Sequence, residues 1–224
     1  MDKRQIIGSI DCFISDRTLT EEEVVKEIRF AMDARVHSVH VWPYHMATNV
    51  RTLAGSGIEP GGEISFPDGL QLPEVKVAQT RALAELGCME FDVCINVSAL
   101  RDRRDDYVLD ELRQIVRAAK GREVKVILQV TYLTDEEKIR GAELAVKAGA
   151  QFVKTSGGDM NMSRWNPLHD AALLHQAVGD RIGVKVSDGF RNLEDYHLAE
   201  DFLMAGASRL GLGPLELPIL VDKL

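Results

Sequence analysis

Cysteine is scarce: Cys12, Cys88 and Cys94 are all that 224 residues contain. Three scattered thiols make neither a disulfide framework nor a zinc cluster, and they read as reduced thiols of a cytosolic protein. Positive charge is also in deficit, with 27 Lys+Arg against 35 Asp+Glu and a net charge of −8. Nucleic acid and anionic membrane surfaces both require a basic face, so neither is an expected partner. No apolar run reaches the ~18 residues of a membrane helix. The opening Met1–Gly8 segment lacks the apolar stretch of a signal peptide, so a cytoplasmic location is expected. Proline is sparse, and no Pro/Gly/Ser-rich linker divides the chain. What is present is an ordinary globular composition, 45% hydrophobic and 28% charged. A core of this size buries about 70% of the unfolded surface, enough for one domain spanning 1–224.

Glycine marks the organisation. Gly87, Gly121, Gly149, Gly179 and Gly206 each follow a helix-like segment and precede a short apolar run. They recur about every 30 residues, the length of one βα unit, and a glycine just past a helix supplies the left-handed residue that ends it. Thr20-Glu21-Glu22-Glu23 and Thr134-Asp135-Glu136-Glu137 read as capping boxes. Strands are predicted near 5–11, 36–42, 62–66, 89–97, 123–131, 151–156, 182–187 and 208–212. Helices are predicted near 20–34, 43–54, 74–86, 103–119, 134–148, 167–178 and 192–205, with a short piece after Pro214. This alternation predicts an α/β fold, a (β/α)8 TIM barrel. The competing open, doubly wound sheet would carry a glycine-rich phosphate turn after its first strand, and Ile10-Asp11-Cys12-Phe13 has none.

Parallel strands covered on both faces should be mostly apolar. Polar residues near their C-terminal ends are therefore informative, because barrel active sites lie at that end. Asp92, Lys154 and Lys185 qualify, from the fourth, sixth and seventh strands. Two inward ammonium groups ~5 Å apart repel by roughly 3 kcal/mol at an effective dielectric of ~20. One lysine is then expected to be neutral near pH 7, as Schiff-base chemistry on a carbonyl requires. Asp92 would balance charge and relay a proton. Lys125 sits early in its strand, toward the end that serves stability, and reads as structural. His37, His40 and His45 could suggest a metal, but His37 and His40 fall on opposite faces of an extended strand. No His-x-x-x-His pair with a following carboxylate is present, so no metal is expected. Trp42 and Trp165 read as packing residues.

These segments resemble the deoxyribose-phosphate aldolase family from Ile10 to Gly213. The carriers are Phe152-Val153-Lys154-Thr155-Ser156, Gly183-Val184-Lys185 leading to Arg191, Glu90-Phe91-Asp92-Val93-Cys94, and Phe66-Pro67-Asp68-Gly69. Ser208-Arg209-Leu210-Gly211 resembles the family's final strand. The resemblance implies a class I aldolase without metal or other cofactor, acting on a small aldehyde or sugar. Lys154 would form the imine, Lys185 would lower its pKa, and Asp92 would assist proton transfer. Substrate contacts would come from Asp11, His40, Thr155, Ser156, Gly158, Ser187, Asp188, Gly189, Gly211 and Gly213.

Several positions depart from the family pattern. Asp188 replaces a glycine, Gly158-Asp159 replaces a Gly-Lys-like pair, and Gly211-Leu212-Gly213 lacks a hydroxyl. His40 stands where the family has a pocket cysteine, and Gln129-Val130 replaces Glu-Thr. A carboxylate ~5 Å from a phosphate dianion costs roughly 6 kcal/mol at a dielectric of ~20, which Arg191, Arg164 or Arg209 would have to offset. The leading expectation is reversible aldol cleavage of a 2-deoxy sugar or related 3-hydroxy aldehyde, with an acetaldehyde-type donor and weakened phosphate recognition. The alternatives are authentic cleavage of 2-deoxy-D-ribose 5-phosphate to acetaldehyde and glyceraldehyde 3-phosphate, and a catalytically silent metabolite-binding relative. A homodimer is a possible assembly, since barrels of this size pair through outer helices.

Overall fold

The computed structural model describes residues 1–157, 161–187 and 197–223. Its strands are β1 (Ile10–Ile14), β2 (Ser38–Val41), β3 (Glu59–Ile64), β4 (Glu90–Cys94), β5 (Glu123–Ile127), β6 (Phe152–Lys154), β7 (Gly183–Ser187) and β8 (Arg209–Leu212). They run parallel and close into a barrel in chain order, β8 pairing back onto β1 through Asp11 and Gly211. The (β/α)8 expectation holds.

Side chains on a strand alternate between faces, and here the alternation is chemical. Cys12, Val39, Phe91, Val93, Val124, Val126, Val153, Val184, Val186 and Leu210 point outward into one apolar shell. The helices seal that shell with residues such as Val24, Ile28, Leu83, Leu112, Ile115 and Leu174. The other face carries Asp11, His40, Glu63, Glu90, Asp92, Lys125, Lys154 and Lys185, all buried. Barrel interiors are usually filled by branched apolar side chains. This one is filled with charge from end to end, so the expectation of polar residues only near the C-terminal ends is corrected.

The helices are α1 (Lys3–Ile7), α2 (Glu21–Ala34), α3 (Met46–Leu53), α4 (Pro73–Leu86), α5 (Val97–Arg101), α6 (Asp105–Ala118), α7 (Asp135–Ala148), α8 (Pro167–Val178), α9 (His197–Met204) and α10 (Glu216–Lys223). Thr20 and Thr134 form the predicted capping boxes on α2 and α7. Gly87 and Gly149 end α4 and α7 in the left-handed region. The strand predicted at 5–11 is displaced. Asp2 and Gln5 build a capping box that turns Lys3–Ile7 into a helix, which buries Ile6 and Ile7, and extended chain begins at Ile10. The helix predicted at 103–119 is found as α6, and a separate short helix that the sequence reading did not include, capped by Asn96, precedes it at Val97. The strand predicted to reach 131 stops at Ile127, and Gln129 turns the chain at φ +57°. Of the helix predicted at 192–205, residues 192–196 lie outside the described residues.

Gly183 gives the barrel room for an aromatic ring. A Cβ at this position would lie 2.2 Å from the Phe152 ring. That ring is held between Lys125 and Arg209, whose charged groups stand 5.7 and 5.4 Å from its centroid. Gly183→Ala is expected to overpack the site by about 1–3 kcal/mol. The expected fall in Tm is about 2–12 °C by calorimetry; an unchanged Tm would show that the ring can shift freely.

Candidate active site

Pairing of β6 with β7 sets Lys154 directly beside Lys185. Asp92 reaches both from β4: its Oδ2 accepts from Lys154 Nζ at 2.7 Å and from Lys185 Nζ at 2.8 Å. Lys185 also pairs with Asp11 Oδ2 at 2.8 Å. The same Asp11 oxygen accepts from Lys125 at 2.9 Å, and Lys125 donates onward to Glu90. Glu90 meets His37 at 2.9 Å and His40 at 3.4 Å. Cations and carboxylates thus alternate from the upper end of the barrel to its lower end.

This chain corrects one reading of the sequence, the placement of His37 and His40 on opposite faces, and adds to two others. Asp92 stands between the two lysines, and at ~2.8 Å each contact supplies roughly 6 kcal/mol of attraction at a dielectric of ~20, about twice the repulsion. Lys125 is fully buried and is one carboxylate away from Lys185. His37 and His40 meet at one carboxylate, because His37 precedes β2 and is not bound by the strand's alternation.

The electrostatics follow. Burial alone would raise the pKa of Asp11, Glu90 and Asp92, but all three are held below the ordinary carboxylate range, Asp11 and Asp92 by the surrounding lysines and Glu90 by hydrogen bonds from His37 and His40 together with Lys125. Lys125 is raised well above its usual value: burial opposes its charge, and Asp11 and Glu90 outweigh burial. Burial pushes the Cys12 thiol up to about 12, which leaves it protonated and unreactive.

Lys154 and Lys185 form the floor of a cavity of about 580 Å³ at the C-terminal ends of the strands. Asp11, Ser187, Gly211 and Gly213 line it as well. Gly211 leaves space for the lysine, since a Cβ there would sit 3.2 Å from Lys185 Cε. Thr155, Ser156 and His40 are buried and do not line the cavity. Thr155 ties β6 to β7, accepting from Ser187 N at 3.1 Å. Gly158, Asp159, Asp188, Gly189 and Arg191 lie outside the described residues. Arg209 faces the other end of the barrel, 3.6 Å from Asp11 and 2.6 Å from His37, so it is spent on the charge chain. Arg164 donates to the Leu133 carbonyl at 3.0 Å.

Lysines at the floor of a barrel mouth, gathered around one carboxylate, can attack a carbonyl and move protons. Comparison with known proteins agrees with that chemistry. Residues 57–207 match the family model described as DeoC/LacD family aldolase. The chain belongs to this aldolase family. The deoxyribose-phosphate aldolase of Bacillus cytotoxicus is 41% identical over 204 residues, covering 91% of this chain and 89% of the relative. That of a Geobacillus species is 40% identical over 210 residues, covering 93% and 92%. The tetrameric deoxyribose phosphate aldolase from Aeropyrum pernix superposes with a TM-score of 0.88 at 25% identity, covering 99% of this chain and 92% of that one. The chain is a class I aldolase, a carbon–carbon lyase acting on a small molecule. No helix among the described residues is long and apolar enough to cross a membrane.

Sequence reasoning gave Glu63 and Glu90 no role, read Lys125 as structural only, and took Arg209 for the phosphate end. The signal was available: each is separated by two residues from another inward position, as Glu90 is from Asp92 and Arg209 from Gly211. The aldolase also carries an unusual imidazole. His40 Nδ1 lies 3.3 Å from Glu63 and 4.0 Å from Asp92 Oδ1, and neither Glu63 oxygen has a hydrogen-bond partner. Burial would lower the His40 pKa; Asp92, Glu63 and Glu90 outweigh burial and the opposing Lys185, and the net shift is upward. A raised histidine stabilises the folded state below its unfolded value of about 6.5 and loses that contribution as pH rises through the folded value. His40→Asn is therefore expected to remove a decline in urea stability that begins above about pH 6.5 in the wild type. Parallel stability–pH curves for the two proteins would contradict the assignment.

Proposed function

We propose that Lys154 is the Schiff-base lysine, with Lys185 and Asp92 as its proton-handling partners. The observation that carries this is the shared Asp92 oxygen beneath two lysines on the floor of the cavity. In the cleavage direction Lys154 gives up a proton through Asp92 and attacks the substrate aldehyde carbon. Loss of water leaves an iminium. A base, Asp92 acting directly or through one water, takes the proton from the hydroxyl at C3. The C2–C3 bond breaks, its electron pair passes into the iminium, and an enamine and a free aldehyde result. Protonation of the enamine carbon and hydrolysis then release the acetaldehyde-type product and restore the amine. Asp11 and Lys125 hold Lys185 and Asp92 in a fixed electrostatic frame, which is the larger part of such catalysis.

The substrate is a 2-deoxy sugar or related 3-hydroxy aldehyde, with weakened hold on phosphate. Two features support this. β8 ends at Leu212 and continues into Gly213 and Pro214 without a hydroxyl, and Arg209 and Arg164 are engaged elsewhere. Cleavage of 2-deoxy-D-ribose 5-phosphate itself is the second reading, favoured by the names of the 40–41% identical relatives. The ratio of kcat/KM for phosphorylated and unphosphorylated deoxyribose decides between them, and a strong preference for the phosphate favours the second. We further propose a cytoplasmic protein of one domain, 1–224. Exposed Leu70, Leu72 and Val75 beside the start of α4 would serve a homodimer contact.

Borohydride reduction in the presence of acetaldehyde is expected to add one ethyl group to Lys154, read by peptide mass spectrometry. Lys154→Leu should abolish the adduct, and equal trapping by the variant would refute the assignment. Asp92→Asn should lower kcat by about 10²–10⁴.

A further inference from the structure

The wall above the lysines is aromatic. Phe13 follows the inward Asp11 of β1 by two residues and Trp42 follows His40 of β2 in the same way, while Phe66 lies just past the end of β3. The three rings pack in tilted and T-shaped pairs with centroids 5.5, 5.6 and 5.6 Å apart. Each is only half-buried and each lines the cavity. The Trp42 indole N–H donates to the Ser15 carbonyl at 2.9 Å, which fixes the ring in the cavity wall. Leu19, Leu212 and Pro214 extend the apolar lining on other sides, and the exposed Leu215 stands at the rim.

Charge at the rim points the same way. Asp16, Glu27 and Glu216 line the opening, whereas Arg17 is its one described cation apart from the floor lysines. Arg17 lies over the Trp42 ring, 5.4 Å from its centroid. Glu216 occupies the first turn of α10, with Oε2 2.6 Å from where a Gly213 Cβ would be. The space against Gly213 and the start of α10 is thus filled by the protein's own carboxylate. A dianion entering here meets three carboxylates, while an uncharged ring or alkyl chain meets a preformed aromatic wall.

We propose that the acceptor is an uncharged aldehyde with an aryl or alkyl tail, seated on Phe13, Trp42 and Phe66. This deepens the aldolase reading and rests on it. In the synthetic direction the enamine carbon of Lys154-bound acetaldehyde attacks the acceptor carbonyl carbon. One carbon–carbon bond forms, the acceptor oxygen takes a proton, and water releases the imine. The product is the 3-hydroxy aldehyde that sums acetaldehyde and acceptor, with no redox change.

The test uses the full chain with acetaldehyde as donor and three acceptors: 3-phenylpropanal, D-glyceraldehyde and D-glyceraldehyde 3-phosphate. Adducts are quantified by mass spectrometry. The kcat/KM for 3-phenylpropanal is expected to exceed both others by roughly tenfold or more, the scale on which an apolar pocket discriminates. Trp42→Ala should lower the ratio of kcat/KM for 3-phenylpropanal to that for D-glyceraldehyde by about tenfold. The exposed Leu215→Ser should lower it about threefold without a folding risk. Borohydride trapping of acetaldehyde on each protein separates the outcomes. Trapping on Lys154 with preference for either polar acceptor overturns the acceptor assignment alone. No trapping in the wild type overturns the Schiff-base reading beneath it. A preference for the phosphate that Arg17→Ala abolishes would overturn the proposal and make Arg17 a phosphate ligand.

Discussion

One carboxylate oxygen, Asp92 Oδ2, lies between the ammonium groups of Lys154 and Lys185, and much of the barrel interior follows from that arrangement. Two lysines on adjacent strands cannot be buried without a counter-charge, because desolvation and mutual repulsion act together against them. Asp92 supplies one and Asp11 a second, and Asp11 then needs Lys125. Lys125 in turn holds Glu90, which is met by two histidines. Each neutralising residue creates the need for the next, until the chain ends at the partly exposed Arg209 and His37. The charged interior is a set of linked obligations, not a collection of separate ion pairs.

The strands make this arrangement geometrically cheap. Their outward positions are valine, isoleucine, leucine and phenylalanine, which bury against the helices and supply the hydrophobic term. Their inward positions are then free to carry function. Small residues regulate how closely the side chains approach: Gly211 leaves room for Lys185, Gly183 for Phe152, and Gly61 for His40, whose ring would lie 2.3 Å from a Cβ there. Gln129 stabilises the mouth in another way. Its amide donates to the Pro67 and Gly157 carbonyls at 2.7 and 2.9 Å, joining the segments after β3 and β6.

The fold was legible because glycine punctuation, capping boxes and strand–helix alternation are local signals, and all are read within a few residues. The lysine–lysine–aspartate group was legible because charged residues interrupt apolar runs at equivalent strand positions. What stayed hidden was relational. That Lys125 faces Asp11, 114 residues away in sequence, depends on barrel closure. Glu63 sits beneath His40 only through the register of β2 with β3. The N-terminal helix was misread because Ile6 and Ile7 look like a strand until the Asp2–Gln5 cap is considered. Trp42 was read as packing; it does pack, against Phe13 and Phe66, and it also lines the cavity.

Chemistry and selectivity are carried by different parts of this molecule. The floor is built by regular strand positions whose charges constrain one another, so a change at any of them propagates through the chain to Lys154. The rim is built mostly by residues beyond the strand ends, Phe13 and Leu212 excepted. Replacing an anion-binding rim by an aromatic and acidic one therefore leaves the buried charge balance intact, because no rim carboxylate pairs with a floor lysine among the described contacts. Such a separation lets one barrel keep the lysine chemistry of an aldolase while the residues of its mouth vary. It also places the acidic excess of the chain in physical context: inside the barrel Asp11, Glu90 and Asp92 are each paired with a lysine, whereas among the described rim residues three carboxylates stand with one arginine.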